Sequence, residues 1–196
     1  MATTYTETPG NYSDIASFVK SDVKDIKAAF FSADRVVFYD ACSFQRHSNL
    51  ADKERSILGS YFESHGTLIC ITRCVLMELA SDHHDLDEKY IDLIKAFNEA
   101  GVMVAIFNEE YIYDILSECF STNEKINEYL RWAVRNVKSP VSTIEDTLKA
   151  DVKLYPEVIG DMTLRKSDLY NRFFTAVRGN KEHEDNLGEE LIAICV

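Results

Sequence analysis

The chain has 196 residues, 46% of them hydrophobic, which is enough for one good core, and nothing in the composition points to long disorder. Its formal net charge is −12, which argues against a protein that grips phosphate backbones with a basic surface but leaves room for a nuclease that holds phosphate through metal ions. No run of about 18 apolar residues occurs, and Met1 to Tyr5 lacks the charged and apolar regions of a signal peptide, so the expected protein is soluble, cytoplasmic and without a membrane partner.

In chain order, Tyr5 to Tyr12 reads as a mobile arm punctuated by Pro9-Gly10. From Ser13 the apolar residues Ile15, Phe18, Val19, Ile26, Ala29 and Phe30 fall mostly on one helical face, with Asp22, Lys24, Asp25 and Lys27 between them. That spacing predicts an amphipathic helix ahead of the first strand, so residues 1–34 form an N-terminal extension and 35–196 the domain proper. Arg35 to Asp40, with the run Val36-Val37-Phe38-Tyr39, predicts a buried parallel strand that places Asp40 at its carboxyl end. In open α/β sheets ligands sit at that edge.

Asp52 to Ser64 is the next expected helix, with Ile57, Leu58, Tyr61 and Phe62 inward and Gly66 ending it. Thr67 to Thr72 is a second buried strand, and Thr72 is placed to cap a helix that carries Glu78 on its second turn. Leu86 to Ala100 predicts a helix closed by Gly101, and Val102 to Phe107 a third strand. Strands alternating with helices imply right-handed crossovers and a parallel three-layer α/β/α sheet of Rossmann-like type.

After Asn108 the pattern becomes helical: 108–120, 122–137, 141–153 and 164–177. Ser121 with Glu124 and Ser142 with Glu145 have capping-box spacing, and Pro140 suits a first helical turn. Residues 108–185 are therefore expected to form a mostly helical insertion or cap. Leu191 to Val196 suits either a helix or a closing strand. Cys42, Cys70, Cys74, Cys119 and Cys195 are an odd number with no CxxC pair, most of them in apolar runs, and read as reduced core thiols.

Asp40-Ala41-Cys42 after an apolar strand, Ile71 to Leu79 after the next, and Leu187-Gly188-Glu189-Glu190 before an apolar segment together resemble the PIN domain family of nucleases. The resemblance covers residues 35–107 and the last ten. It implies a parallel sheet flanked by helices and an acidic cluster holding Mg2+ or Mn2+. Carried over by position, Asp40, Glu78 and Glu189 match the family acids, with Glu190 as the lesser occupant of the third place. It further implies an endoribonuclease with a toxin, defence or RNA-processing role, with RNA as substrate and either an antitoxin or a second copy as protein partner.

Hard divalent cations take oxygen ligands, so acids gathered at one sheet edge suit them. Each acid also has a plainer reading: Asp40 as an acid that opens a loop, Glu78 as a solvated helix residue, Glu189 as a partner of a helix macrodipole. Ser43, Arg46 and His47, just past the Asp40 strand, are candidate substrate contacts beside their reading as a polar loop. Arg131, Arg135 and Lys138 form an i, i+4, i+7 stripe and a candidate RNA face, or else a solvated helix face. Adjacent histidines on a helix end point apart, so His83-His84-Asp85 is read as polar surface and not as a metal site. The alternative function is a PIN-like module that binds protein or RNA without catalysing. The acidic set ending at Glu190 and the net charge favour it.

Overall fold

The computed structural model describes residues 8–80, 83–108 and 110–120, with Lys125. The chain divides into two compact units, Met1–Thr3 with Glu7–Phe107 and Thr4–Thr6 with Asn108–Val196. In the first unit a 3-10 helix, Tyr12–Phe18, is followed by α1 (Val23–Ser32), β1 (Arg35–Phe38), α2 (Ala41–Ser48), α3 (Asp52–Ser64), β2 (Thr67–Thr72), α4 (Arg73–Leu79), α5 (Glu88–Glu99) and β3 (Met103–Phe107). In the second unit α6 spans Glu110–Cys119. Glu189, Glu190, Arg131, Arg135 and the rest of the expected helical cap lie outside the described residues. Among the described residues, no helix is long and apolar enough to cross a membrane.

The three strands form one parallel sheet in the order β1-β2-β3, giving the mixed α/β class expected of a Rossmann-like fold. The register sets Phe38 beside Cys70 and Cys70 beside Ala105. Every residue of the central strand β2 is buried, as a strand with neighbours on both edges requires. Burying each of its large apolar side chains contributes on the order of 1.5–3 kcal/mol.

Side chains alternate across the sheet, and the aromatic contacts sort the helices accordingly. Phe30 of α1 packs edge-on to Phe107 (6.0 Å) and lies 6.4 Å from Phe38. Tyr39 points to the other face and meets Phe44 of α2, Phe62 of α3 and Phe97 of α5 at 5.3, 6.4 and 5.6 Å. Edge-to-face pairs of this kind contribute about 0.5–1.5 kcal/mol each beyond their buried area.

Several expectations are corrected. Residues 8–12 are tied down instead of forming a free arm: Gly10 N–H donates to His84 O (2.9 Å), and the Asn11 side chain bonds both the N–H and the C=O of Leu86 (2.9 and 3.0 Å). The single helix expected from Ser13 is broken at 19–22. There Val19 bridges Ile106 in parallel, Lys20 N–H donates to Ile106 O (2.7 Å), and Asp22 restarts the helix by accepting from Asp25 N–H (2.8 Å). A sheet edge outcompetes helical continuity here, because β3 offers unpaired backbone groups on its outer side.

The expected burial of the first strand is also corrected. β1 is an edge strand in the described sheet; Arg35 and Val36 are exposed, Val36 by 41%, and the strand ends at Phe38, two residues before Asp40. In α3 the bounds agree with expectation, but Ile57 and Tyr61 are 63% and 51% exposed. The inward face is Leu58, Gly59 and Phe62. Gly59 allows that rotation, since a Cβ placed there would stand 2.8 Å from the Cβ of Ala100. The α3 N-terminus is closed from one side only, by Glu54 accepting from Ala51 N–H (3.0 Å), Ala51 having no side-chain acceptor. Gly66 ends the turn after α3 at φ +56, a left-handed conformation suited to glycine. Cys70 and Cys74 are buried and reduced as expected, but Cys42 and Cys119 are exposed. Both lie on helices.

Candidate functional site at the carboxyl edge of the sheet

Parallel strands deliver their carboxyl ends to the same edge. The backbone continues the β1–β2 pairing one step beyond β1, with Tyr39 N–H donating to Cys70 O (3.0 Å). Extending the register of Phe38 with Cys70 puts Asp40 level with Thr72. Both residues then cap the helix that follows. Asp40 Oδ1 accepts from Ser43 N–H at 2.7 Å, and Thr72 Oγ1 accepts from Val75 N–H at 3.4 Å. Ser, Thr, Asp and Asn are favoured at this position because the side-chain oxygen satisfies an N–H that has no partner within the helix.

Ser43, Arg46 and His47 therefore lie on the helix α2, and the polar loop considered for them is replaced by a regular element. Asp40, Ser43 and His47 follow one another at helical spacing along one stripe. Arg46 is exposed, and Ser43, His47 and Asp40 are half-buried. The Asp40 carboxylate uses Oδ1 for the cap, and Oδ2 makes no hydrogen bond among the described residues.

Glu78 is on the second turn of α4, half-buried, directly after the fully buried Val75, Leu76 and Met77. Its helix packs against α2 and β2, so the two acids stand on neighbouring helices that start at the same sheet edge. Glu189 and Glu190 fall outside the described residues. Among the described residues, no group of three His, Cys, Asp or Glu side chains is gathered as a metal site, and His83, His84 and Asp85 form none. His84 has a left-handed backbone at φ +66, and its carbonyl serves the clasp with Gly10. Carboxylate oxygens such as those of Asp40 and Glu78 are hard donors of the kind that Mg2+ or Mn2+ requires.

One feature of the site was missed from the sequence. Tyr39 is 2% exposed, and its hydroxyl lies 2.9 Å from Nδ1 of His47. Burial holds the Tyr39 phenol well above its ordinary value, so it stays protonated. His47 is held below the ordinary imidazole value, first by burial and then by the Arg46 charge, with Asp40 pulling the other way. The only signal in the sequence was an aromatic residue between an apolar strand and an acid. Its partner eight positions later is neither a strand nor a helix neighbour by spacing.

The fold and edge together define a mixed α/β protein with a parallel sheet whose first two carboxyl ends carry a carboxylate cap and a hydroxyl cap. Comparison of the chain with models of known protein families, with curated proteins and with solved structures returns no match.

Proposed function

We propose that the chain is a metal-dependent endoribonuclease of PIN type, a three-layer α/β/α domain in which Asp40 and Glu78 hold Mg2+ or Mn2+ at the carboxyl edge. Glu189, or in second place Glu190, would complete the set. The observation that carries this reading is the pairing of Asp40, with Oδ2 left over from capping, and Glu78, half-buried on the adjoining helix after three buried apolar residues. A bound cation would supply Lewis-acid stabilisation of the phosphoryl oxygens and a more acidic water. The chain's part is to position the carboxylates: the Ser43 amide orients Asp40, and the packing of α4 against α2 and β2 fixes the helix that carries Glu78. A toxin, defence or RNA-processing role fits this chemistry, with an antitoxin or a second copy as protein partner.

The test is cleavage of single-stranded RNA with Mn2+ or Mg2+, comparing wild type with Asp40→Asn. Asn caps a helix about as well as Asp, so the fold is retained while the charge is lost. The expected loss exceeds about 100-fold, beyond the 10- to 100-fold usual for an outer partner of a metal site. Unchanged cleavage in the variant would rule the assignment out.

A second reading has its own observation. The Asp40 carboxylate is already employed as a cap, the described residues hold no three-ligand group, and a PIN-like module that binds without catalysing requires no more. Failure of the purified chain to bind any divalent cation would favour this module.

A further inference from the structure

The Tyr39 ring packs against the rings of Phe44, Phe62, Phe97 and His47, and the residue is almost fully buried. Among the described residues, the one hydrogen-bond partner of its hydroxyl is Nδ1 of His47. Two arrangements fit the 2.9 Å separation. If Nδ1–H donated to the phenol oxygen, the phenol proton would be buried with no acceptor, which costs about 1–3 kcal/mol. If the phenol donates to Nδ1, both polar atoms of the buried contact are satisfied and the proton of the neutral imidazole must sit on Nε2. Nε2 is on the side of the ring away from this core contact and makes no hydrogen bond among the described residues. His47 shares the helix stripe of Asp40, and exposed Arg46 is its chain neighbour.

We propose that Tyr39 is a positioning residue for His47: it holds the imidazole as the Nε2–H tautomer, and Nε2–H donates to a non-bridging oxygen of an RNA phosphodiester lying along α2. The identity of the strand rests on the ribonuclease reading above. His47 is then a neutral donor and neither a base nor a metal ligand, and Arg46 adds the charge that draws the anion to that end of α2. The Asp40 end of the stripe repels phosphate in the absence of a cation, so the bound phosphate is placed towards His47.

Two measurements on the full chain test this, and neither uses cleavage. Long-range proton–nitrogen correlation spectra of 15N-labelled protein read the tautomer directly. Wild type should show Nδ1 bare and Nε2 protonated, and Tyr39→Phe, which keeps the ring, should show a mixture. Nδ1–H in wild type, or an unaltered tautomer in Tyr39→Phe, overturns the proposal.

The second measurement is binding of a fluorescein-labelled single-stranded oligoribonucleotide in EDTA, in an Asp40→Asn background so that the strand survives. His47→Gln places an amide donor where Nε2–H stood and should stay within about twofold, while His47→Asn and His47→Ala should lose about tenfold, the worth of one hydrogen bond to a charged oxygen. Tyr39→Phe should lose less, about threefold. Equal affinities across the set, or no better binding by His47→Gln than by His47→Asn, overturn the proposal. This binding pattern together with no cleavage of the strand by wild type in Mn2+ or Mg2+ defeats the nuclease reading and leaves the Tyr39–His47 pair standing.

Discussion

The two strand-to-helix junctions solve the same problem with different chemistry. After β2, Thr72 caps α4 from a fully buried position with a neutral hydroxyl. After β1, Asp40 caps α2 from a half-buried position with a carboxylate, through a bond shorter by 0.7 Å (3.4 minus 2.7). Capping alone therefore does not call for a charge at this edge. A charge is tolerable only at the β1 junction, where water and a counter-ion can reach it; an unpaired carboxylate at the Thr72 position would carry a large desolvation cost. Within this sheet, the buried junction serves stability and the half-open one is free to serve a ligand.

Substitutions can break or sharpen that contrast. The largest effect should come from the strands themselves. Ile71→Ala in β2, where the side chain is fully buried, should cost about 2–5 kcal/mol. Val36→Ala in exposed β1 should stay within about 0.5 kcal/mol. Urea denaturation measures both, and equal costs would erase the distinction between central and edge strand.

Next in size, Thr72→Val removes the acceptor of the buried Val75 N–H and should cost about 1–3 kcal/mol. Asp40→Ala should cost about 1 kcal/mol and Asp40→Asn almost nothing, read from the same denaturation curves. A large loss of stability in Asp40→Asn would mean that the charge itself holds the fold.

The smallest effect is a pH dependence. His47 titrates below its ordinary value of 6.5 in the folded protein, so on acidification the unfolded chain takes up the proton first. The associated stability is fully present above 6.5 and is lost as pH falls towards the folded value. The difference in denaturation midpoint between wild type and His47→Gln should therefore shrink from about pH 7 to about pH 5. A constant difference would show that burial of His47 does not couple to its protonation.

What could be read from the sequence follows a physical boundary. The limits of β2 and α3, the Thr72 cap and the closures by Gly66 and Gly101 were legible, because each depends on local chemistry: a continuous apolar run, a capping oxygen, a glycine where φ turns positive. The burial of β1 was not, because an apolar run does not tell whether a strand sits at the centre or the edge of its sheet. Ile57 and Tyr61 misled for a related reason: α3 is rotated by the close approach of Gly59 to Ala100, a contact made across 41 positions of chain. The break at Val19 depends on a bridge to Ile106, equally invisible to periodicity. In the candidate site, Asp40 was legible as an acid at a strand end but not as a cap, and the Tyr39–His47 bond was not legible at all.

The central claim is that the Asp40 charge is there for a cation and not for the cap. Calorimetric titration of Mn2+ into wild type and Asp40→Asn tests it most directly, with thermal melts confirming that both are folded. The account predicts saturable binding by wild type, weakened more than about tenfold in the variant at unchanged stability. Equal binding by the two proteins, or none by wild type, would contradict it.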